Sequence, residues 1–277
     1  MNGQQYVNDM FNLTGEIAIV TGGGGVLPSA MARTLLRAGA QVALWGRGTN
    51  HPVDAAAAAL AEECEVSSSH VIGVTVDTSD EAATEAAFET TRETLGMPTI
   101  LVNGVGGNRG KSDFVDIDVE TFQDVVIMNL VAGLVIPLKI CARAWGAAEV
   151  PGSVINLASM TSYKALSGVW AYNAAKSAVL NLTEGAAKEF APAGIRVNGI
   201  APGFFLGHQN KALLVAQDEP RVLTPRGQAI IDRTPFGRFG DPADMEGATL
   251  FLASRKASGF ITGVTIPVDG GYLVDNI

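Results

Sequence analysis

Short apolar runs alternate with helical segments along most of this chain, and the alternation restricts the fold more than any other feature. The first run, Gly15 to Thr21, is rich in branched residues that favour a strand, and four glycines end it. The predicted strands are 15–21, 41–45, 71–76, 99–103, 153–158, 195–200 and 263–268, and the predicted helices are 27–38, 55–63, 80–95, 119–144, 170–190 and 243–253. Because strands covered on both faces are almost continuously apolar, we expect an α/β fold with a doubly wound parallel sheet of about seven strands.

One stretch, residues 203–235, does not fit the alternation. It follows the end of a predicted strand and carries several prolines and polar side chains. We interpret it as a substrate lid, with a surface excursion as the alternative. No linker, repeat or low-complexity tract interrupts the 277 residues, so we expect a single domain over 1–277 that binds a dinucleotide and holds the catalytic site.

Composition excludes several functions. The net charge is −9, with 19 basic and 28 acidic residues, and no basic cluster offers a nucleic-acid surface. Neither Cys64 nor Cys141 has metal-ligand spacing, and His51, His70 and His208 are scattered, so no metal site is expected. Two lone thiols, a polar N-terminus and apolar runs of only about ten residues indicate a cytoplasmic protein that does not enter membranes.

A tyrosine and a lysine stand four residues apart in the helix predicted at 170–190. Residues Tyr172 and Lys176 therefore share one helix face. A nearby ammonium favours the phenolate and should lower the pKa of the tyrosine, which could then exchange a proton with a carbonyl or hydroxyl oxygen. Alone, the pair also fits a core tyrosine beside a solvated lysine.

The glycine run Gly22–Gly25 lies between the first strand and the first helix. Glycines let backbone amides approach a pyrophosphate, and a helix N-terminus presents the positive end of its dipole. The alternative is a tight turn without a ligand. The strand–loop–helix context favours a dinucleotide site.

These features resemble the classical short-chain dehydrogenase/reductase family over essentially the whole length. The loop after Thr21 resembles the family's Thr-Gly-x-x-x-Gly-x-Gly, with Val26 and Pro28 in place of its second and third glycines. The segment from Asn103 to Gly106 resembles Asn-Asn-Ala-Gly, with Gly104 replacing the second asparagine. Segments 196–203 and 262–271 resemble those beside the nicotinamide and at the C-terminus. The resemblance implies a Rossmann-like fold and an oxidoreductase acting on CH–OH groups.

The family's catalytic residues match four positions here. Tyr172 and Lys176 fit Tyr-x-x-x-Lys, Ser159 stands thirteen residues before the tyrosine, and Asn129 fits the helix asparagine. The resemblance implies that Tyr172 is the general acid/base, that Lys176 lowers its pKa and holds the nicotinamide ribose, and that Ser159 positions the carbonyl. Asn129 would hold a water that relays protons. The alternatives are a helix-capping serine and a helix-kink asparagine.

The same resemblance implies a nicotinamide site. Its expected residues are Gly22, Gly24, Gly25, Val26, Leu27, Arg47, Asp77, Thr78, Asn103, Gly104, Tyr172, Lys176, Pro202 and Gly203. The second strand is followed by Arg47 rather than by an acid, which favours the 2′-phosphate of NADP(H), with NAD(H) as the alternative.

Three segments resemble the branch of D-mannonate oxidoreductases (fructuronate reductases): residues 22–27, 201–214 and 224–240. The branch usually has a small residue and Glu where this chain has Gly207 and His208. A sugar-acid substrate needs hydrogen-bonding groups and a cation. The expected substrate residues are Asn108, Arg109, Ser159, His208, Gln209 and Asn210.

Two other functions stay open at this level. One is a 3-oxoacyl-carrier or other carbonyl reductase of the same family, and the other is a catalytically silent nucleotide-binding regulator. The resemblance also implies a homotetramer formed through the helices of Asn129 and Tyr172.

Overall fold

The computed structural model describes residues 2–49, 52–207, 211–215 and 222–275. Its strands are β1 Ile17–Thr21, β2 Gln41–Gly46, β3 Val71–Thr75, β4 Ile100–Asn103, β5 Ser153–Leu157, β6 Arg196–Pro202 and β7 Thr265–Val268. Its α-helices are α1 Gly3–Phe11, α2 Val26–Arg37, α3 Val53–Glu63, α4 Glu81–Leu95, α5 Val119–Val126, α6 Ile136–Ala148, α7 Trp170–Phe190, α8 Lys211–Leu214, α9 Pro225–Ile231, α10 Glu246–Ala253 and α11 Arg255–Ser258.

All seven strands form one parallel sheet in the order β3-β2-β1-β4-β5-β6-β7. The order reverses between β1 and β4, which is the position where open parallel sheets bind ligands beyond their strand ends. The predicted sheet and its helical layers are confirmed. The strand boundaries differ from the predicted ones by at most two residues.

The two faces of the sheet carry separate hydrophobic clusters. One contains Met31 and Leu35 of α2 and Leu252 of α10, and the other contains Trp145 of α6 and Val179 of α7. Helices therefore cover both faces, as the apolar strands require. A third, small cluster of Leu214, Val215 and Ile230 lies within the segment predicted as a lid, so this segment has its own apolar packing.

The long predicted helix at 119–144 is helical throughout but not uniform. Between α5 and α6 it becomes a π-helix from Ile127 to Val135, and α6 then begins at Ile136. In the sequence, Gly133 and Pro137 argue for a bend in this helix, and the observed irregularity begins earlier, at Ile127. Inserted π-helical turns are frequent at functional sites.

The continuous helical run Val119–Ala148 is also the one candidate membrane span among the described residues. It has 30 residues, a mean hydropathy of 2.2 in its most apolar window, and 61% of that window buried inside the protein. Packing against the sheet accounts for this apolar character, as it does for core helices.

The N-terminal helix α1 follows a capping box formed by Asn2 and Gln5. The sequence did not predict it, because the segment is polar overall and none of its residues is buried, although its few apolar side chains share one face. Its end is fixed by Ser254, whose hydroxyl donates to the Met10 carbonyl at 2.6 Å, and Lys256 pairs with Asp9.

Candidate active site

Helix α7 brings Tyr172 and Lys176 together as the spacing predicts. The Lys176 Nζ lies 5.7 Å from the centroid of the Tyr172 ring. It donates a hydrogen bond of 2.7 Å to the Leu157 carbonyl at the end of β5, and only 4% of the residue is exposed. Burial lowers the pKa of Lys176 to about 8. The ammonium is therefore held in a fixed position beneath the phenol. The Leu157 carbonyl was not predicted, since a backbone acceptor leaves no trace in the sequence.

The hydroxyl of Tyr172 forms a side-chain hydrogen bond with Ser159. Burial raises the pKa of Tyr172, and the hydrogen bond to Ser159 opposes this effect without reversing it. The prediction that Lys176 lowers the tyrosine pKa is therefore wrong for the chain alone, because loss of hydration dominates. At neutral pH the phenol is protonated and can donate a proton.

Ser159 follows β5 and begins a single helical turn, Met160–Ser162. Its Oγ accepts a hydrogen bond of 3.1 Å from the Thr161 amide, so the serine does cap this turn. The same side chain bonds to Tyr172. The capping and catalytic interpretations are compatible, because the cap fixes the direction of the hydroxyl.

Asn129 is fully buried in the π-helical turn and fixes the loop after β4. Its Nδ2 donates to the carbonyls of Gly107 (2.7 Å) and Val125 (2.8 Å), and its Oδ1 accepts from the Gly107 amide at 3.0 Å. A Cβ added to Gly106 would lie 2.7 Å from Asn129 Oδ1 and 3.1 Å from Lys176 Nζ. Asn129 and Lys176 therefore meet at Gly106, while the proton-relay role of Asn129 stays a prediction.

The glycine loop after β1 lies against neighbouring backbone. Gly22 has φ +69°, and a Cβ there would lie 2.9 Å from the Gly104 carbonyl oxygen. Gly25 is the N-cap of α2 and has no side chain to cap the helix, so the first-turn amides of Val26 and Leu27 have no partner within the helix. This is the geometry that suits a pyrophosphate, and the predicted residues Gly22, Gly24, Gly25, Val26 and Leu27 lie together there.

An unpaired acceptor lies at the end of β4. The Nδ2 of Asn103 donates to Asn156 Oδ1 at 2.9 Å, and Asn156 in turn donates to Thr183 of α7 at 2.9 Å. In the described part of the chain, the buried Oδ1 of Asn103 has no hydrogen-bond partner. A donor from a bound nucleotide would satisfy it, so this position fits a dinucleotide.

The loops after β2 and β3 place Arg47 and Asp77 side by side. Arg47 Nη1 lies 4.0 Å from Asp77 Oδ2, and both side chains are about half exposed. Hydrogen bonds from the Ser79 hydroxyl and amide lower the pKa of Asp77. Thr78, which follows Asp77 in the sequence, is buried. The Asp77 carboxylate therefore partly offsets the positive charge of the Arg47 guanidinium.

The last predicted cofactor residues lie where β6 ends, at Pro202, and directly after it, at Gly203. The Gly203 amide donates to the Val268 carbonyl at 2.9 Å, and a Cβ on Gly203 would lie 2.7 Å from the Asp269 Cα. Only glycine allows this approach of the two strand ends.

The predicted substrate residues are only partly described. Asn108 and Arg109 are exposed in the loop after β4. Asn108 Nδ2 donates to the Gly110 carbonyl at 2.9 Å, and Arg109 Nη1 lies 3.8 Å from Asp124 Oδ2 of α5. His208, Gln209 and Asn210 lie outside the described residues.

The structure contains a cavity of about 370 Å³ that the sequence did not predict. It is lined by Phe204 and Phe205 at the start of the predicted lid, by side chains between positions 234 and 244, and by residues 267–271 at the end of β7. None of the four predicted catalytic residues lines this cavity, so the cavity is not itself the reaction site. At its rim, Phe204 packs edge-to-face on Tyr272 at 5.1 Å, and Lys164 Nζ lies 5.6 Å from that ring.

Within residues 2–49, 52–207, 211–215 and 222–275, no group of three or more His, Cys, Asp or Glu side chains could hold a metal ion. The buried Cys141 has a pKa raised by burial, as expected for an inert thiol.

Comparison with known proteins agrees with this geometry. The family model described as Enoyl-(Acyl carrier protein) reductase matches residues 27–273. An uncharacterised oxidoreductase of Bacillus subtilis (strain 168) is 39% identical over 277 residues, which cover 95% of this chain and 96% of the relative.

Two solved structures are similar over nearly their whole length. A gluconate 5-dehydrogenase from Burkholderia cenocepacia J2315 in complex with NADP and tartrate has a TM-score of 0.86 and 30% identity, covering 97% of this chain and 99% of its own. A protein described as a D-mannonate oxidoreductase from Haemophilus influenza, with bound NAD, has a TM-score of 0.84 and 30% identity, covering 98% and 99%.

Proposed function

Since the chain belongs to the short-chain dehydrogenase/reductase family and is an NAD(P)-dependent oxidoreductase, we propose that it acts on a sugar acid of the D-mannonate or D-gluconate type. The observation that carries the chemistry is the arrangement of Ser159, Tyr172 and Lys176. The phenol bonds to the serine, and the buried ammonium lies beneath it.

When bound, the nicotinamide supplies or accepts the hydride. The chain's residues handle the proton and the developing charge. Tyr172, kept protonated by its raised pKa, donates a proton to the substrate oxygen during reduction and takes one back during oxidation. Ser159 donates a hydrogen bond to the same oxygen, and Lys176 supplies a positive charge held in place by the Leu157 carbonyl.

The residues that would hold the cofactor are those already brought together by the fold. The amides at the start of α2 suit the pyrophosphate, Asn103 Oδ1 offers a buried acceptor, and Lys176 lies close enough to the phenol to serve the nicotinamide ribose as well.

The substrate class rests on the relatives' names and on polar groups near the site. One solved relative is named for gluconate and another for D-mannonate, so both aldonates are candidates. A screen of sugar acids against acetoacetyl thioesters, with both cofactors, tests the proposal. Turnover of an aldonate with a kcat/KM at least tenfold above that of the thioester is expected, about 1.4 kcal/mol in transition-state binding. The reverse preference would establish a 3-oxoacyl-carrier reductase instead.

Arg109 is the proposed cation for the substrate carboxylate. Its pairing with Asp124 is long, at 3.8 Å, and both side chains are more than half exposed, so the ion pair contributes little and can open. Replacing Arg109 with Ala should raise the KM for a sugar acid far more than for a neutral ketone. The matched control is Asp124→Asn, which frees the guanidinium and should not raise the sugar-acid KM; equal effects on both substrates would reject the role of Arg109.

A catalytically silent regulator is the second candidate, since Val26 and Pro28 depart from the family's glycine loop. The complete set of Asn129, Ser159, Tyr172 and Lys176 argues against it, because a sensor has no need of a proton-transfer group. Cofactor binding without turnover across sugar acids and ketones would favour the regulator.

NADP(H) is the proposed cofactor, with NAD(H) possible. Arg47 supports this choice, as an arginine after the second strand suits a 2′-phosphate. Asp77 opposes it in part, because its carboxylate lies beside the guanidinium. Replacing Arg47 with Leu should lower kcat/KM for NADP by about tenfold or more and leave that for NAD within about twofold. Equal or better use of NAD by the wild type would contradict the proposal.

A homotetramer is proposed as the working state. Support comes from apolar side chains exposed along α5 and the turns beside it: Val115 is 90% exposed, Phe114 68% and Val119 63%. Such a patch, at the start of the helical run that carries Asn129, suits contact with a second copy. Light scattering after gel filtration tests it, and a monomer at micromolar concentration would contradict it.

A further inference from the structure

Two of the positions at which this chain departs from its family's cofactor motifs touch each other. Pro28 stands where the family has the third glycine of its loop, and Gly104 stands where it has an asparagine. A Cβ added to Gly104 would lie 2.7 Å from Pro28 Cγ and 2.9 Å from Pro28 Cβ. The proline ring therefore occupies the space that a side chain at position 104 would need.

This contact joins two loops that also meet through their backbones. The Gly104 amide donates to Thr21 Oγ1 at 3.0 Å, and a Cβ on Gly104 would lie 2.5 Å from the Thr21 carbonyl oxygen. On the other side, a Cβ on Gly25 would lie 3.3 Å from Pro28 Cδ. Any side chain at position 104 thus requires the loops to separate, and the buried Pro28 ring resists that movement.

Pro28 also changes what the start of α2 can donate. It is the third residue of the helix and has no N–H, so the first turn offers the amides of Val26 and Leu27 alone. With one donor fewer, the placement of the remaining two amides matters more for a bound pyrophosphate.

We propose that Pro28 and Gly104 act as one positioning unit that sets the pyrophosphate cradle. The Pro28 ring fits because position 104 has no side chain, and a glycine at position 104 is required because the ring is there. Together the two residues take the place of the family's pattern. The inference rests on the cofactor part of the proposed function and is independent of which substrate is used. It predicts that the effect is the same for NAD and NADP, because the pyrophosphate is common to both.

A double-mutant cycle with Pro28→Gly and Gly104→Asn, the residues typical of the family, tests the proposal. The readout is the dissociation constant of each cofactor, measured directly by fluorescence titration of the purified protein. We expect Pro28→Gly to weaken binding by about fivefold and Gly104→Asn by at least about tenfold, with the double variant within about threefold of wild type. Additive effects of the two substitutions would overturn the proposal.

A second variant keeps the test decisive if Gly104→Asn does not fold. Pro28→Ala restores an amide donor but removes most of the ring. Weaker binding of both cofactors is expected, whereas tighter binding would show that donor number governs the cradle and would overturn the proposal. If the ligand-free variant has a lower melting temperature but unchanged dissociation constants, the pair is only a structural contact, and the proposal is overturned. Pro192→Gly, in an exposed helical turn after α7, is the matched control and should leave binding unchanged.

The outcome separates this inference from the function it rests on. Failure of the wild type to bind either cofactor would refute the proposed function as well. Normal binding by the wild type, with additive variants, would refute only the role of Pro28 and Gly104.

Discussion

Replacing Lys176 with methionine should stabilise the cofactor-free protein while removing its chemistry. The lysine is 4% exposed, no carboxylate pairs with it among the described residues, and its ammonium bonds to the Leu157 carbonyl. Burial lowers its pKa from 10.5 to about 8. Methionine has a similar length, fits the same channel and carries no charge to desolvate.

The size of the effect follows from that pKa. At about 1.4 kcal/mol for each pKa unit, burying the ammonium costs about 3 kcal/mol at pH 7, where folded and unfolded chains both bind the proton. Losing the hydrogen bond to Leu157 destabilises the variant by roughly 1 kcal/mol, so its net gain in stability is about 2 kcal/mol.

The pH dependence has a definite sign. Because the folded pKa is lower than the unfolded one, the cost is fully present below pH 8 and disappears as the pH rises towards 10.5. The wild type should therefore gain stability relative to Lys176→Met over that interval, and the gap between the two should close.

Urea unfolding at a fixed protein concentration, at pH 7 and again between pH 9 and about 10, measures both effects. Lys188→Met, an exposed position on the same helix, is the matched control and should change stability little at either pH. If the variant is less stable than wild type at pH 7, or if the difference in stability between the two does not change with pH, then burying the Lys176 ammonium does not carry the cost given above.

Two further predictions concern residues that hold the site in place. Asn129→Ala removes both hydrogen bonds to Gly107, so kcat should fall at least about tenfold in steady-state assays; unchanged kcat would reject its role. Arg196→Met removes the buried guanidinium that donates to the carbonyls of Leu252 and Ser258 and to the hydroxyls of Ser153 and Ser258, so urea unfolding should show a loss of about 3 kcal/mol. A loss below about 1 kcal/mol, or a change in cofactor affinity as large as the change in stability, would contradict the structural role of Arg196.

The parallel sheet and the catalytic group were predictable because both depend on local spacing. Helix α7 spans Trp170–Phe190, as its uninterrupted pattern predicts, and that helix alone sets Tyr172 over Lys176. Ser159 was expected from the resemblance to the family, which has its serine at this spacing before the tyrosine, and the structure places it directly after β5.

What the sequence could not supply depends on contacts between distant segments. The pKa of Tyr172 is raised rather than lowered because burial outweighs its neighbours, and burial is a property of the whole fold. The fit of Pro28 against Gly104 joins residues 76 positions apart (104 minus 28) that look like unrelated departures in the sequence. Helix α1 was not predicted, because it depends on a cap and on contacts of its Met10 and Asp9 with the distant Ser254 and Lys256.

In the proposed reaction Tyr172 moves the proton during a hydride transfer between nicotinamide and a sugar acid. Single-turnover formation of reduced nicotinamide from D-mannonate or D-gluconate, in wild type and Tyr172→Phe, tests this role. We expect the variant to bind cofactor with a dissociation constant within about threefold of wild type and to react about 10² to 10⁴ times more slowly. A variant that reacts as fast as the wild type, or a wild type that binds cofactor and oxidises neither acid nor any related polyol acid, would contradict it.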